Sequence, residues 1–247
     1  MRGMIDVHCH IVPAVDDGAA SKKEVRNLLL QEYKSGVREL ILTPHYRKGM
    51  FETPRDIVER RAEYVAREVD RIRLDMQVYL GCEYHANADM LMELCKEERF
   101  RMNGGRYVLV EFSGRHDYQR VRNYIYQLQQ EGYCPVVAHV ERYPQVIKQL
   151  EQVEELIELG AMIQVNAGSL LGENGFRMKN VSRRLLKKRW IHFIASDAHD
   201  SKNALSKLGR MCKICVKKNG KRVRRNSICE EPEKKCWMED DKVGESI

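Results

Sequence analysis

Seven short apolar runs, at 4–7, 40–43, 77–81, 107–110, 135–138, 162–165 and 191–195, recur along the chain. Between them lie longer segments whose apolar residues return at helical spacing. Strand-sized runs alternating with helical segments predict a parallel sheet, because a crossover must carry the chain back before the next strand can run the same way. Seven such units within about 200 residues favour a barrel over an open sheet. No Gly-x-Gly-x-x-Gly and no P-loop follows any of the runs, which argues against a nucleotide-binding open sheet.

The punctuation between the runs is explicit. Ser21 with Glu24 reads as a capping box for a helix to about Ser35, closed by Gly36. Thr53 reads as the N-cap of the next helix, with Pro54 at its first position and its end near Arg73. Further helices are expected at 89–98, at 118–131 before Gly132, and at 144–159 before Gly160. A basic helix is expected within 176–188. More of its charge belongs to a solvated face than to a binding surface.

The runs are far shorter than the ~20 apolar residues that span a bilayer, and no basic-then-apolar segment opens the chain. A cytoplasmic protein without membrane insertion is therefore expected. The net charge of +7 is concentrated late. From Asn203 onward there are 12 Lys and Arg against 7 Asp and Glu, so the body is nearly neutral and gives no argument for nucleic acid. Cys9, Cys82, Cys95 and Cys134 are scattered through strand and helix patterns, as reduced buried thiols would be, while Cys212, Cys215, Cys229 and Cys236 sit in the tail.

His8 and His10 follow the first run, on either side of Cys9. Side chains alternate along a strand, so both imidazoles point one way and Cys9 the other. Two imidazoles can share a divalent ion or be ordinary strand-end histidines. The other runs weigh on that choice. His45 follows the second, Glu83 the third, Glu111 the fourth, His139 the fifth, and Asp197 and His199 the seventh, with Asp17 in the loop after the first. In a parallel barrel these strand ends open on one face. Burying so many carboxylates without cations would raise their pKa values and cost stability. A set of His and carboxylate without Cys suits Mn²⁺, Fe²⁺ or Zn²⁺, and nine ligands suit two or three ions rather than one.

The segments His8-Cys9-His10, Asp16-Asp17-Gly18, Thr43-Pro44-His45, Gly81-Cys82-Glu83, Glu111-Phe112, His139-Val140-Glu141-Arg142-Tyr143 and Ser196-Asp197-Ala198-His199 resemble, in order, the polymerase-and-histidinol-phosphatase (PHP) superfamily. Within it they resemble the bacterial manganese-dependent tyrosine-protein phosphatases of capsule and exopolysaccharide loci. The motifs span roughly residues 1–201. The resemblance implies a distorted seven-stranded (β/α) barrel, TIM-barrel-like, over residues 1–202, with a trinuclear centre. It implies one ion on His8, His10, Glu83 and Asp197, a second on Glu83, Glu111 and His139, and a third on Asp17, His45 and His199. It implies that Arg142 binds phosphate, and that the substrate is the phosphotyrosine cluster on the tail of a partner tyrosine autokinase. A homo-oligomer remains open. Rival readings are another PHP phosphoesterase, acting on histidinol phosphate or nucleic acid, and a poorly active relative that binds the kinase tail.

Divalent cations lower the pKa of bound water from ~16 to about 7, so the expected reaction is attack of such water on phosphorus in line with the tyrosyl oxygen. His199 or His45 would assist proton transfer only at the expense of a ligand role. The loop 46–52, with Arg47, Lys48 and Phe51, either grips a phosphorylated peptide or is a solvated basic loop. The pattern departs from its relatives after His199. No arginine stands where a second phosphate contact is expected, and Lys202 and Arg210 are the candidates, lysine lacking the guanidinium's fork. Beyond Leu208 the motif resemblance ends. The basic 203–247 stretch reads as a disordered tail rather than a zinc knot, since Cys229 and Cys236 are too widely spaced. So abrupt a change also suggests an altered reading frame.

Overall fold

A computed structural model of the chain describes residues 3–96, 99–143, 149–202 and 206–211. The strands are β1 (Met4–Cys9), β2 (Val37–Leu42), β3 (His45–Tyr46), β4 (Gln77–Leu80), β5 (Glu83–His85), β6 (Tyr107–Glu111), β7 (Cys134–Val137), β8 (Met162–Asn166) and β9 (Phe193–Ala195). The helices are α1 (Lys22–Ser35), α2 (Arg55–Arg71), α3 (Met90–Cys95), α4 (Tyr118–Gln130), α5 (Glu151–Glu158), α6 (Ala167–Leu171) and α7 (Phe176–Lys188). Every ladder is parallel, in the orders β1-β2-β4 and β3-β5-β6-β7-β8-β9.

The architecture is the expected distorted (β/α) barrel, but not with seven intact strands. Nine strand segments occur among the described residues, because the second and third expected strands each break in two. Pro44, which has no N–H to give to a ladder, stands at the first break, and Gly81-Cys82 at the second. Past each break the chain joins the other sheet. Hydrogen bonds from Thr43 N to Cys9 O (2.9 Å), Gly81 N to Leu42 O (2.8 Å) and Glu83 N to Pro44 O (3.1 Å) carry the backbone across that seam. On the other side, Asp197 N donates to His8 O and His10 N to Ala198 O, both at 2.9 Å, tying β1 to the chain leaving β9.

The interior follows strand alternation except in β1, whose register against β2 shifts at Met4/Ile5 and again further on. Ile5, Val7, Ile41, Tyr107, Leu109, Val136, Ala138, Phe193 and Ala195 form the inner apolar cluster, while Cys9, Leu40, Leu42 and Ile194 pack on the helical side with Val25, Leu28 and Val65. The β1–β2 register shifts between Asp6 and Cys9. Strict alternation would put His8 with Asp6, opposite Ile5 and Val7. The slip puts His8 and His10 above the inner apolar cluster instead. Bulges near active sites commonly re-aim side chains in this way.

Several local expectations hold. Ser21 caps α1 by accepting from Glu24 N, and Gly36 closes that helix at φ 97°, a left-handed conformation that glycine adopts without strain. Thr53 is not a helix cap. Pro54 precedes α2, and the Thr53 hydroxyl donates to Val15 O at 3.0 Å, pinning the loop after β1. Helix α3 is shorter than expected, and the starts of the 144–159 helix and the ends of the 89–98 one fall partly outside the described residues. Cys9, Cys82 and Cys134 are buried free thiols, but Cys95 is exposed. The tail cysteines and the basic 212–247 segment lie outside the described residues, as do 203–205. No described helix is long and apolar enough to cross a membrane.

Residues 206–211 are part of the packed body. Leu208 is fully buried and Met211 nearly so, both in the cluster that joins α1, α2 and β1. Ser206 N donates to the Ser35 hydroxyl at 2.8 Å. Truncating Leu208 to Ala is expected to cost about 2–5 kcal/mol in urea unfolding; an unchanged midpoint would place that residue outside the core. Behind β1, Glu32 is fully buried near Asp6. Burial and then the Asp6 charge push its carboxyl well above the ordinary range, against the Ser206 and Ser196 hydroxyls and Lys207. Above about pH 4.3 the unfolded chain releases this proton while the fold retains it, so stability is lost as pH rises towards the raised pKa. Glu32→Gln is therefore expected to match wild type near pH 4 and to be more stable at neutral pH, as measured by thermal unfolding at both.

Candidate metal centre

The strand ends deliver side chains from every part of the chain to one place. Glu83, the first residue of β5, is fully buried. Its Oε2 lies 3.1 Å from His8 Nε2, 3.3 Å from His10 Nε2 and 3.0 Å from His45 Nδ1. Its Oε1 lies 2.9 Å from His139 Nε2, which is also 3.8 Å from Glu111. Asp197 Oδ1 stands 3.5 Å from His8, His10 and His199 nitrogens alike. Asp17, an exposed side chain of the loop after β1, reaches His199 at 3.5 Å and His45 at 3.7 Å. All nine residues singled out in the sequence thus share one cluster.

Ligand atoms within 4.8 Å of one another fall into three overlapping sets: His10, Asp17, His45 and His199; His8, His10 and Asp197; and His45, Glu83 and Glu111. The sharing differs from the expected partition: His10 belongs to two sets, His45 joins the Glu83–Glu111 set, Glu83 is in that set and not in the one with His8, His10 and Asp197, and His139 is in none of the three, standing 2.9 Å from Glu83 and 3.8 Å from Glu111. The donor set fits divalent cations. Glu83 Oε2 is buried without a properly directed hydrogen bond although three imidazoles surround it. His8 Nε2 and His10 Nε2 face each other at 3.1 Å. Converging lone pairs of N and O without thiolate suit Mn²⁺, Fe²⁺ or Zn²⁺.

The charges hold each other. Burial would raise the Glu83 carboxyl, but the His8 charge and the contacts of His10 and His139 hold it well below its ordinary value. Asp197 is likewise held well below, burial being outweighed by His8, His10 and Arg142. Burial alone would lower His10, yet Asp16, Asp197 and Glu83 hold it well above its usual value. His45 lies deep enough, and close enough to His10, to be pulled down to about 4 despite Glu83. Burial and His10 lower His199 as well. Glu111 is raised by burial and by the Glu83 charge, against His139 and Arg47.

Two ligand candidates stand on strained backbone. His139 has φ 32° and Asp197 φ 50°, in the left-handed region that non-glycine residues rarely adopt. Such strain costs about 1–3 kcal/mol per residue and persists where the surroundings over-determine it.

Four polar residues of the site had no role in the sequence reading. The Asp16 side chain is 1% exposed and accepts from His10 Nδ1 at 2.8 Å, His45 N at 2.8 Å and Gly18 N at 3.0 Å. Gln164 and Asn166, both buried, alternate in phase with Met162 along β8 and bond to His139 N and Asp197. Glu141 is fully buried and accepts from Asn166 N at 3.1 Å. A polar residue inside the 162–165 run and another just after it were the available signal for Gln164 and Asn166.

Of the expected phosphate-binding groups, Arg142 donates to Asp197 Oδ2 at 2.8 Å and keeps its side chain 39% exposed. Arg47 is half-buried, and its charge lowers both His85 and Glu111. It opens a turn closed by Arg47 N to Phe51 O (2.9 Å) and Phe51 N to Arg47 O (2.8 Å), and the Phe51 ring stacks on His45 at 5.4 Å. Lys202 is 83% exposed and paired with Asp200 at 3.1 Å, and Arg210 pairs with Glu173. Neither reaches the cluster through these contacts.

A parallel α/β barrel with a His–carboxylate cluster at its C-terminal strand ends is the class defined by fold and site. The family model for capsular polysaccharide synthesis, CpsB/CapC, matches residues 4–236, and the chain belongs to that family. The tyrosine-protein phosphatase CpsB of Streptococcus agalactiae serotype III is 36% identical over 202 residues, 80% of this chain and 83% of that protein. CpsB of Streptococcus pneumoniae is 33% identical over 236 residues, 94% of this chain and 97% of that one. A crystal structure from work on YwqE of Bacillus subtilis and CpsB of Streptococcus pneumoniae, described as unique metal-dependent tyrosine phosphatases, matches with a TM-score of 0.81 at 32% identity, covering 88% of both chains. The family match runs past Leu208, where the motif resemblance was expected to end, so that stretch belongs to the matched region as far as residue 236.

Gly18 offers a direct test of how the loop after β1 is seated. A Cβ there would fall 2.1 Å from His10 O and 2.5 Å from His10 Cβ, so only glycine fits. Gly18→Ala is expected to cost about 1–3 kcal/mol of stability and to weaken Mn²⁺ binding by displacing Asp16 and Asp17. Unchanged unfolding and unchanged titration calorimetry would contradict this.

Proposed function

We propose that this chain is a metal-dependent protein-tyrosine phosphatase whose substrate is the phosphotyrosine cluster on the tail of a tyrosine autokinase serving capsule or exopolysaccharide synthesis. The observation that carries the reading is the convergence of His8, His10, Asp17, His45, Glu83, Glu111, His139, Asp197 and His199 beside a half-open Arg142. Membership of the CpsB/CapC family, whose relatives are named tyrosine-protein phosphatases, supports the substrate class.

Mn²⁺ is the proposed metal. His8, His10, Glu83 and Asp197 would hold one ion, Glu83, Glu111 and His139 a second, and Asp17, His45 and His199 a third. Bound divalent ions supply positive charge to the phosphate and lower the pKa of water from ~16 to about 7. The chain's own residues do the rest. Arg142 is anchored through one nitrogen to Asp197, and its remaining donors can hold two phosphate oxygens. Arg47 adds charge near Glu111 and His85. The Phe51 ring over His45, with exposed Met50 beside it, offers an apolar face to the substrate ring. Lys202, engaged with Asp200, is left out of this grip.

His45 and His199, both lowered, are neutral at physiological pH and fit ligand roles. The leaving phenol has a pKa of about 10 and needs little help from a proton donor. Burial pushes the thiols of Cys9, Cys82 and Cys134 up, so none is a ready thiolate nucleophile. Phosphoryl transfer then rests on positioning and charge.

The test is hydrolysis of a tyrosine-phosphorylated kinase-tail peptide, with histidinol phosphate as the competing substrate. Chelation is expected to abolish turnover and Mn²⁺ to restore it. His139→Ala should lose activity by more than about 100-fold, and Arg142→Ala about 10²–10³-fold in kcat/KM without rescue by lysine. Full activity after chelation, or an unaffected Arg142→Ala, would contradict the assignment.

A further inference from the structure

We propose that Gln164 and Asn166 are positioning residues whose hydrogen bonds run in one fixed direction and select the ligand atoms of His8 and Asp197. The direction of the relay stands on geometry alone; its effect on ions rests on the metal-centre reading above.

The argument starts from one peptide N–H. Gln164 is fully buried, and its Oε1 accepts from His139 N at 2.7 Å. A peptide nitrogen can only donate, so the atom facing it is the amide oxygen and the side chain cannot be flipped. The same Oε1 lies 3.2 Å from His8 Nδ1. An amide oxygen only accepts, so His8 carries its proton on Nδ1. His8 Nε2 is then the nitrogen free of that bond, and it is the one turned to Glu83, Asp197 and His10, where a cation would take the place of a second ring proton.

The other end of the amide continues the relay. Gln164 Nε2 donates to Asn166 Oδ1 at 2.8 Å, which turns Asn166 Nδ2 towards Asp197, where it donates to Oδ2 at 2.6 Å. Arg142 donates to that same oxygen. Asp197 Oδ2 is therefore filled, and Oδ1 is left facing the imidazoles. Asn166 is itself anchored through its backbone, its N–H donating to the buried Glu141. Asp16 applies the same logic to His10. Its acceptance from two peptide N–H groups makes His10 Nδ1 the donor and turns His10 Nε2 to the cluster. Partners of this kind orient metal-binding side chains and set their tautomers.

A two-bond ¹H–¹⁵N correlation spectrum of the wild-type protein, metal-free and in mildly alkaline buffer, reads the His8 tautomer directly. The expected result is a proton on Nδ1. Titration calorimetry with Mn²⁺ then compares Gln164→Leu, Asn166→Leu and Gln164→Glu with wild type, thermal unfolding checking that each is folded. Both leucine variants are expected to lose roughly 10–100-fold in affinity. Gln164→Glu should keep the His8 tautomer, since a carboxylate still accepts from both partners, and should weaken binding because it cannot donate to Asn166. An unprotonated His8 Nδ1 in wild type, or a folded Gln164→Leu with wild-type affinity, overturns the relay. If Gln164→Leu does not fold, the wild-type spectrum and Gln164→Glu decide. Neither readout uses a substrate, so a failure of the phosphatase reading is seen separately.

Discussion

The Glu83 carboxylate sits fully buried among four imidazoles, those of His8, His10, His45 and His139, at 2.9–3.3 Å. An isolated carboxylate at that depth would take up a proton rather than stay charged. Glu83 is held ionised because positive and hydrogen-bonding groups from β1, β3 and the end of β7 close on it together. The site is an electrostatic knot whose strands of chain come from both sheets. The barrel is needed to tie it, and the arrangement of the barrel's upper rim is best understood as what lets these groups meet.

The regular barrel geometry is broken where the site needs it broken. The register slip in β1 turns His8 and His10 inward. The interruptions at Pro44 and Gly81-Cys82 move His45 and Glu83 from the first sheet into the second. His139 and Asp197 adopt left-handed backbone two residues after their strands end. Each departure is locally unfavourable, and each falls on or beside a residue of the cluster. Violations of local rules that gather in one place mark a functional site.

This pattern also explains what could be read from the sequence. The alternation of apolar runs and helices gave the parallel barrel, and the ionisable residue after each run gave the cluster, because both follow from strand periodicity and fold topology. Chain position was enough to bring Asp17, His45 and Asp197 together without knowing a single distance. The two broken strands were not legible, since an apolar run such as 40–43 looks the same whether its continuation stays in its sheet or crosses to the next. The β1 slip was hidden too: His-x-His on an even strand gives the right facing of the two imidazoles but not their relation to Ile5 and Val7. Thr53 offered a sound capping signal, and a tertiary contact to Val15 claimed its hydroxyl instead. Asp16, Gln164 and Asn166 act through other side chains, so residue type and spacing gave them no distinct chemical signature.

The central claim is that one constellation at the barrel mouth gathers divalent cations around Glu83. Anomalous diffraction at the manganese edge, from crystals grown with Mn²⁺, addresses it without reference to turnover. The account predicts anomalous peaks enclosed by His8, His10, His45, Glu83, His139 and Asp197, with the Glu83 carboxylate touching two of them. Peaks confined to other surfaces, or an imidazole–carboxylate cluster that stays free of metal at saturating Mn²⁺, would contradict it.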